Sequence, residues 1–169
     1  MDEPLMDSVS LGGIDVTFKL SAEQTGGVMS AMEVLVAPRR LALPHRHERE
    51  DELCLVTDGQ VGWRVGDREL LAEPQSLTFL PRGVPHAYWN PSSSPARLVL
   101  VSVPGGVERF FQELATGSMQ AERTAAVAAR HGLVLVLDWI DELVARHGLQ
   151  MRGGGDDAGE GNGSADDSN

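Results

Sequence analysis

A succession of short extended segments separated by turn residues most constrains what this chain can fold into. Between residues 16 and 103, runs rich in strand-forming residues alternate with breaks made of Gly, Pro, Asp and Ser. The runs cover residues 16–20, 30–37, 53–57, 61–65, 69–72, 76–80, 86–90 and 97–103. Many short strands at this turn spacing predict a β-sandwich or a small barrel. Gly66-Asp67 lies between two of these runs and predicts a tight hairpin.

Four residues in this β-rich region have the spacing of ligands to a single metal ion. His45 and His47 are two residues apart, which in a strand places both side chains on one face, roughly 6–7 Å apart. Glu52 begins the next extended run, and His86 follows a Pro- and Gly-rich turn at residues 81–85. Three imidazoles and a carboxylate suit one divalent transition metal: iron, manganese, nickel, cobalt or zinc. The sequence therefore predicts a metal site but leaves the identity of the metal open.

The segment that contains these residues also allows simpler interpretations. It is strongly charged, so the paired histidines could be solvated surface residues, and Asp51 could replace Glu52 as the ligand. Glu52 is favoured because it shares strand parity with Cys54, which we expect to be a small buried side chain rather than a reactive thiol. Glu48 and Glu50 are further carboxylates that could act as an acid or a base at the mouth of a pocket, although most exposed glutamates do neither.

The same residues resemble the two motifs of the cupin superfamily. The first motif, Gly-x5-His-x-His-x3–4-Glu-x6-Gly, is matched by His45, His47, Glu52 and Gly59, with Arg39 at its leading Gly position. The second motif, Gly-x5-Pro-x-Gly-x2-His-x3-Asn, is matched by Pro81, Gly83, His86 and Asn90, with Gln75 at its leading Gly position. Both departures concern turn glycines and therefore local turn geometry rather than ligands. The resemblance implies a mainly β fold, a cupin-type double-stranded β-helix or jelly-roll barrel, with metal ligands at His45, His47, Glu52 and His86.

The pattern changes to a helical one after the barrel. Residues 107–115 carry an apolar stripe, residues 119–130 are rich in Ala, and Asp138 can cap a third helix. The sequence Ala-Arg-His-Gly-Leu occurs twice and predicts helix ends, with His131 and His147 as capping residues. We therefore divide the chain into an N-terminal arm, a cupin barrel, a C-terminal helical extension and an acidic Gly-rich tail expected to be disordered, at residues 1–15, 16–104, 105–152 and 153–169.

Composition excludes several classes of partner. The net charge is −11 and no cluster of Lys and Arg is present, which argues against nucleic acid or an anionic membrane as a partner. The first residues lack the basic start and apolar run of a signal peptide, and no run approaches the ~20 apolar residues of a membrane span. The single cysteine cannot form an internal disulfide, so a cytoplasmic location is expected.

Among cupins, the chain is most similar to small single-domain quercetinase-like proteins of bacteria. The similarity lies in the turn before His86-Ala87-Tyr88 and in the Gly-Gly…Glu-Arg-Phe-Phe…Leu sequence of residues 105–114. It implies a mononuclear-metal dioxygenase that uses O₂ on an enol-bearing aromatic or polyketide-like small molecule. Glu52 would then be both a ligand and the catalytic base. Because cupins are often dimers, a homodimer is also expected.

The role of Tyr88 and the type of activity remain open at this stage. Tyr88 shares strand parity with His86, so it either lines the pocket and supplies a catalytic hydroxyl or only fills the barrel. A non-oxidative isomerase or polyketide cyclase would use the same metal as a Lewis acid. A metal-bound module that binds a small molecule without turnover is the third possibility.

Overall fold

A computed structural model describes residues 8–151 and shows a mainly β architecture with helices after it. The tail that we expect to be disordered, residues 153–169, lies outside the described residues, as do the first seven residues of the N-terminal arm. The strands are β1 Ser8–Ser10, β2 Ile14–Leu20, β3 Ser30–Val36, β4 His45–His47, β5 Asp51–Asp58, β6 Val61–Val65, β7 Arg68–Ala72, β8 Leu77–Leu80, β9 His86–Trp89, β10 Ala96–Val103 and β11 Leu133–Leu135. The helices are α1 Val107–Ala115, α2 Ala121–Arg130 and α3 Trp139–His147.

Two antiparallel sheets form the barrel. The six-stranded sheet has the order β1-β2-β3-β10-β5-β8, and the five-stranded sheet has the order β11-β4-β9-β6-β7. All eight extended runs of the sequence analysis are strands, and residues 66–67 connect β6 to β7 as the predicted hairpin. The mainly β jelly-roll fold with C-terminal helices is therefore confirmed.

Alternation of side chains along the strands builds the core between the sheets. In β2, β3 and β10 every second residue is buried, as expected for strands with one covered face. Fully buried aliphatic residues from this face include Val16, Met32, Val34, Val36 and Leu98. Each such side chain contributes about 1.5–3 kcal/mol to the free energy of folding. This packing fixes which residues of β4, β5 and β9 point to the interior.

The C-terminal region contributes one strand to the barrel in addition to its three helices. Strand β11, which the sequence analysis did not anticipate, pairs with β4 in the register Leu133↔His47 and Leu135↔His45. Helix α1 places Phe110 and Leu114 in the main core beside β1 and β3 residues. The region is therefore both helical and an integral part of the five-stranded sheet.

Helix α3 packs on the outer side of that sheet through Trp89. The indole lies over Gly62 of the neighbouring strand so closely that a Cβ there would be 2.2 Å from the ring. Leu143 is buried in the same cluster, and the ring of His147 stacks on Trp89 with 4.5 Å between centroids. None of the helices in the described residues is long and apolar enough to cross a membrane.

The helix ends differ in part from the expected caps. Asp138 holds the N-cap position of α3, but its side chain makes no capping hydrogen bond because its backbone is already helical. His131 is the C-cap residue of α2, and its Nε2 lies 2.6 Å from Glu113 on α1. Helix α3 ends at Gly148 in a left-handed conformation, as the Gly position predicts.

The two positions where the chain departs from the turn glycines of the motifs keep glycine-like backbone geometry. Arg39 has φ 57° and Gln75 has φ 72°, both in the left-handed region. Gln75 follows Pro74 in a turn closed by a hydrogen bond of 3.0 Å from the Ser76 N–H to the Glu73 carbonyl. Proline at the second position and a positive φ at the third are the requirements of a type II turn. Arg39 and Gln75 therefore introduce backbone strain at these two turns but do not change the path of the chain.

We expect substitutions at Gln75 to report this strain, because the side chain is exposed and no packing is lost. Gln75→Val should lower the free energy of unfolding by about 1–2 kcal/mol, since a β-branched residue is poorly accommodated at positive φ. Gln75→Gly should change it by less than about 1 kcal/mol, because relief of strain offsets the greater freedom of the unfolded chain. Urea unfolding followed by tryptophan fluorescence measures both, and equal losses would contradict the left-handed assignment.

Candidate metal centre

Three strands from the two sheets bring the four predicted ligands together inside the barrel. His45 and His47 lie on β4, and His86 lies on β9, where it pairs with His45 across the ladder. Glu52 lies on β5 of the opposite sheet. His47, Glu52 and His86 are each no more than 2% exposed, whereas His45 is half-buried. The strand parity proposed from sequence therefore brings all four side chains to one point.

The distances within this group are those of ligands around a common centre. His45 Nε2 and His47 Nε2 are 3.1 Å apart. Glu52 Oε2 lies 3.3 Å from His47 Nε2 and 3.4 Å from His86 Nε2. One potential ligand atom from each residue lies within 4.8 Å of every other. Neighbouring ligands at about 2.1 Å from one ion are separated by roughly 3.0–3.5 Å, so the spacing suits a metal.

The outer nitrogen of each imidazole faces an acceptor. His45 Nδ1 donates to the Leu43 carbonyl at 2.7 Å, and His86 Nδ1 donates to the Val84 carbonyl at 3.1 Å. His47 Nδ1 lies 3.4 Å from Glu50 Oε2. A partner on Nδ1 fixes the tautomer and leaves Nε2 as the inward donor atom, an arrangement typical of metal-bound histidines.

Glu50 is therefore not at an exposed pocket mouth, where the sequence analysis placed it as a possible acid or base. It is 8% exposed and faces the outer edge of His47. Glu48, the other extra carboxylate, is exposed. A carboxylate behind a ligating histidine orients the ring and raises its basicity. Spacing alone did not reveal this role, because Glu50 belongs to a segment whose sequence looks like a charged surface loop.

The electrostatics of the group are dominated by burial and by one carboxylate. Burial, together with repulsion from His86 and His47, lowers the pKa of His45 to about 3. Burial alone would lower the pKa of His47, but attraction to Glu52 and hydrogen bonding to Glu50 and Glu52 raise it to about 9. Burial would raise the pKa of Glu52, but attraction to His47 and hydrogen bonds from the histidines hold it well below its usual range. The ionised form of the buried Glu52 carboxylate thus requires a positive charge beside it to be stable.

These observations fit a divalent metal held by His45, His47, Glu52 and His86. Asp51, the alternative ligand, points elsewhere: its Oδ2 lies 2.8 Å from Arg82 Nη2, and Arg82 lowers its pKa to about 2. Three neutral donors and one anionic donor leave a net charge of +1 and open coordination positions on a divalent ion. The donor set therefore suits a reactive site better than a closed structural one.

Tyr88 lies beside this group and faces a pocket. Its ring packs against Trp63 at 5.2 Å between centroids, and it is 5% exposed. Burial and the nearby Cys54 and Glu52 raise the pKa of its hydroxyl well above the ordinary value, so it stays protonated. Burial likewise raises the pKa of the Cys54 thiol, in agreement with an unreactive core residue. Tyr88 therefore packs in the barrel and also lines the pocket, and a catalytic role for its hydroxyl stays a prediction.

The pocket connects the group to the C-terminal region. It has a volume of about 70 Å³ and reaches the predicted ligands through His45. Its lining is mostly apolar and comes from the N-terminal strands, α1 and β11: Leu11, Ile14, Phe110, Phe111, Leu133 and Leu135. Arg40 is part of the same lining, and sequence analysis did not single it out because it occupies a variable position of the first motif.

The match to a protein family agrees with this architecture. The Cupin domain family matches residues 32–102. The TT1209 protein from Thermus thermophilus is 35% identical over 46% of this chain and 74% of its own, with a TM-score of 0.45. No curated protein matches the sequence significantly.

Two further solved structures share the fold at lower identity. An uncharacterized conserved protein with a double-stranded β-helix domain from Klebsiella pneumoniae is 15% identical, over 75% of this chain and 86% of its own, with a TM-score of 0.53. A predicted oxalate decarboxylase from Thermotoga maritima is 16% identical, over 54% of this chain and 80% of its own, with a TM-score of 0.52. At these identities the likeness concerns the fold and does not identify an activity.

The geometry predicts opposite outcomes for two adjacent carboxylates. Glu52→Gln should lower metal affinity at least about tenfold, because it removes the anionic donor from the buried group. Asp51→Asn should leave the metal content unchanged, since it only breaks a surface contact with Arg82. Elemental analysis after dialysis against a metal buffer measures both. Loss of metal in Asp51→Asn with retention in Glu52→Gln would place the ligand one residue earlier.

Metal binding should also release a proton. At pH 7.5 the chelator-treated protein holds a proton on His47, whose pKa is about 9, and this proton must leave before Nε2 can bind a metal. The apparent affinity for zinc should therefore rise about tenfold per pH unit as the pH increases towards 9. Calorimetric titration in two buffers of different ionisation enthalpy should show about one proton released. Binding without proton release would contradict this charge assignment.

Proposed function

We propose that the chain, whose residues 32–102 match the Cupin domain family, is a metal-dependent enzyme of the cupin superfamily. The proposed reaction is a quercetinase-like dioxygenation of an enol-bearing aromatic or polyketide-like small molecule. One observation carries the proposal: the predicted ligand His45 and Tyr88, whose raised pKa keeps its hydroxyl protonated, line the same mostly apolar pocket. Such a pocket suits an apolar substrate that presents one oxygen to the metal centre.

The metal explains why the centre would be reactive. When bound, a divalent transition metal supplies Lewis acidity and, where it is redox-active, a route for electrons to O₂. Glu52, His45, His47 and His86 would hold it, and the Nδ1 contacts of the three rings would keep the ligands in position. His47, Glu52 and His86 are buried, so their charges act in an interior of low dielectric constant.

Glu52 is suited to accept a proton from an acidic hydroxyl group. It is 2% exposed, and its lowered pKa keeps it ionised at neutral pH. A carboxylate of low pKa is a weak base, so it can deprotonate an enol or phenol far more readily than an ordinary alcohol. This property supports an enol-bearing substrate and a double role for Glu52 as ligand and base.

Tyr88 would orient the same substrate from the opposite side. Its hydroxyl remains protonated and can donate a hydrogen bond to a substrate oxygen. Phe110 and Phe111 on α1 provide an apolar wall for a flat ring. Helix α1 would thus exclude water from the reacting atoms and limit the shape of substrate that the pocket accepts.

A non-oxidative isomerase or cyclase is the second candidate. It is supported by Glu52 and Tyr88 themselves, since a proton acceptor at the metal centre and a proton donor beside it are sufficient for enolisation. In this case the metal would act only as a Lewis acid, and O₂ would not be consumed. The fold is compatible with both reactions.

Oxygen dependence separates the two candidates. With the metal-loaded protein and candidate enols, turnover should consume O₂ and should stop under argon. An oxygen electrode combined with product analysis by mass spectrometry measures this. An undiminished rate under argon would reject the dioxygenase and favour the isomerase or cyclase. Tight binding without any turnover would reject both in favour of a binding module.

The double role of Glu52 predicts that metal binding and turnover can be separated. Glu52→Asp should retain part of the metal but lose turnover by about a hundredfold, because a shorter side chain displaces the base by about 1 Å. His86→Ala should instead lose the metal itself, since one of four ligands is removed. Parallel metal analysis and rate measurements test this. Equal losses of metal and rate in Glu52→Asp would argue for a ligand role alone.

A further inference from the structure

The outer face of the six-stranded sheet is apolar where β10, β5 and β8 lie side by side. The side chains that point away from the core on these strands form what we call the apolar face: Leu53, Leu55, Leu77, Phe79, Val99 and Val101. A sheet face that is covered by water alone normally carries polar side chains. The proposed reaction makes no use of this face, because none of the six residues lines the pocket. We propose that the apolar face binds the same face of a second copy of this chain, which gives a two-fold symmetric dimer.

Cross-strand pairing makes the apolar face continuous. Two rows of paired residues cross the three strands: Val101, Leu53 and Phe79 in one row, and Val99, Leu55 and Leu77 in the other. Paired side chains on one face of an antiparallel sheet are about 4.5–5.5 Å apart at Cβ. Each apolar side chain therefore lies next to another one in its row, and the face is one patch rather than a set of scattered residues.

The exposure of these side chains is large for apolar residues. Leu77 is 64% exposed and Phe79 is 56% exposed, while Leu53 and Leu55 are each exposed by more than a third. Since a large apolar side chain offers about 150–250 Å² when fully exposed, the apolar face amounts to on the order of 400 Å². A stable dimer buries about 800 Å² of each partner, of which roughly 55–65% is apolar. The apolar face therefore has about the area of the apolar centre of one dimer interface.

The charges at the border of the apolar face favour an identical partner over a strongly charged one. At one border, Arg97 Nη1 lies 2.8 Å from Glu33 Oε1. At the opposite border, Arg82 Nη2 lies 2.8 Å from Asp51 Oδ2. Each of these cations is neutralised by an acid of its own copy, and the face between them consists of uncharged side chains. Two copies can therefore meet there without burying an unpaired charge, which would be costly.

The parts of the chain outside the described residues are poorly suited to cover this face. Residues 153–169 contain two apolar side chains, both of them Ala. Residues 1–7 precede β1, which lies at the opposite edge of the sheet from β8. The five strand spacings between these edges amount to about 24 Å, and seven extended residues span at most about 25 Å. A second molecule is therefore the better cover, and an identical copy supplies a matching apolar area.

The first test is the mass of the full-length protein in solution. Sedimentation equilibrium between about 1 and 100 µM should show a species of twice 18.2 kDa at the upper end of this range. Leu77→Asp and Phe79→Asp should each raise the dissociation constant at least about a hundredfold, because a two-fold interface buries the new charge twice. Both side chains are exposed in the single chain, so we expect neither substitution to unfold it.

Leu71→Asp is the matched control. Leu71 is 53% exposed, but it lies on β7 of the five-stranded sheet, so its substitution adds the same charge outside the apolar face. This variant should keep the dissociation constant of the wild-type protein. Circular dichroism and thermal melting establish that each variant is folded before the masses are compared.

A distance measurement locates the interface without introducing a charge. Cys54 is buried, so a spin label reacts with an introduced thiol at Val103→Cys or at Leu71→Cys. Val103 is 38% exposed and lies on β10 beside the apolar face. Packed sheets are about 10 Å apart, so the two labels at Leu71, one barrel thickness further out in each copy, should be separated by at least about 30 Å. The two labels at Val103 should be closer together than this in pulsed electron paramagnetic resonance.

Several outcomes would overturn the proposal. A mass of 18.2 kDa for the wild-type protein at every concentration is the first, and this result does not depend on how any variant folds. A dimer that survives both Leu77→Asp and Phe79→Asp, or that Leu71→Asp disrupts, would place the interface elsewhere. A shorter distance between the labels at Leu71 than between those at Val103 would do the same. Sedimentation of the monomeric protein with phosphatidylcholine vesicles would assign the apolar face to a lipid surface instead.

Discussion

The burial of one carboxylate among three imidazoles is the constraint on which the rest of the structure depends. A Glu52 side chain that is 2% exposed would be strongly unfavourable without a nearby positive charge. The raised pKa of His47 shows that the site itself stabilises such a charge. A divalent metal meets the same electrostatic requirement with a larger charge and more bonds. The chemistry of the site and the stability of its surroundings are therefore coupled.

The elements around the centre can be understood as supports for that arrangement. The carbonyls of Leu43 and Val84 and the carboxylate of Glu50 receive the outer edges of the three rings. The two sheets contribute ligands from opposite sides, so the barrel must close for the site to form. Helix α1 adds Phe110, Phe111 and Leu114 to the wall of the adjoining pocket. Each of these elements affects the orientation of the ligand side chains or their exposure to water, and none takes part in the reaction itself.

Sequence patterns anticipated most of the strands, the three helices and the residues that meet at the centre, because these features depend on local alternation and spacing. The turns at Arg39 and Gln75 were less certain, since a positive φ at a non-glycine residue depends on the surrounding sheet. Glu50 and β11 could not be deduced in the same way. Glu50 lies three residues after His47 in a segment whose sequence looks like a charged loop, so its burial was not apparent. Strand β11 forms through contacts between segments distant in sequence, such as the pairing of Leu133 with His47. Local periodicity carries no information about such contacts.

The pairing of β11 with β4 has a consequence for the architecture of the protein as a whole. Without β11, the strand that carries His45 and His47 would be the edge of its sheet, with unpaired N–H and C=O groups. Open edges of this kind recruit strands from other molecules and lead to aggregation. Strand β11 therefore covers an edge that the barrel residues alone would leave open. Any shortened version that ends before Leu133 would expose its most important strand to self-association.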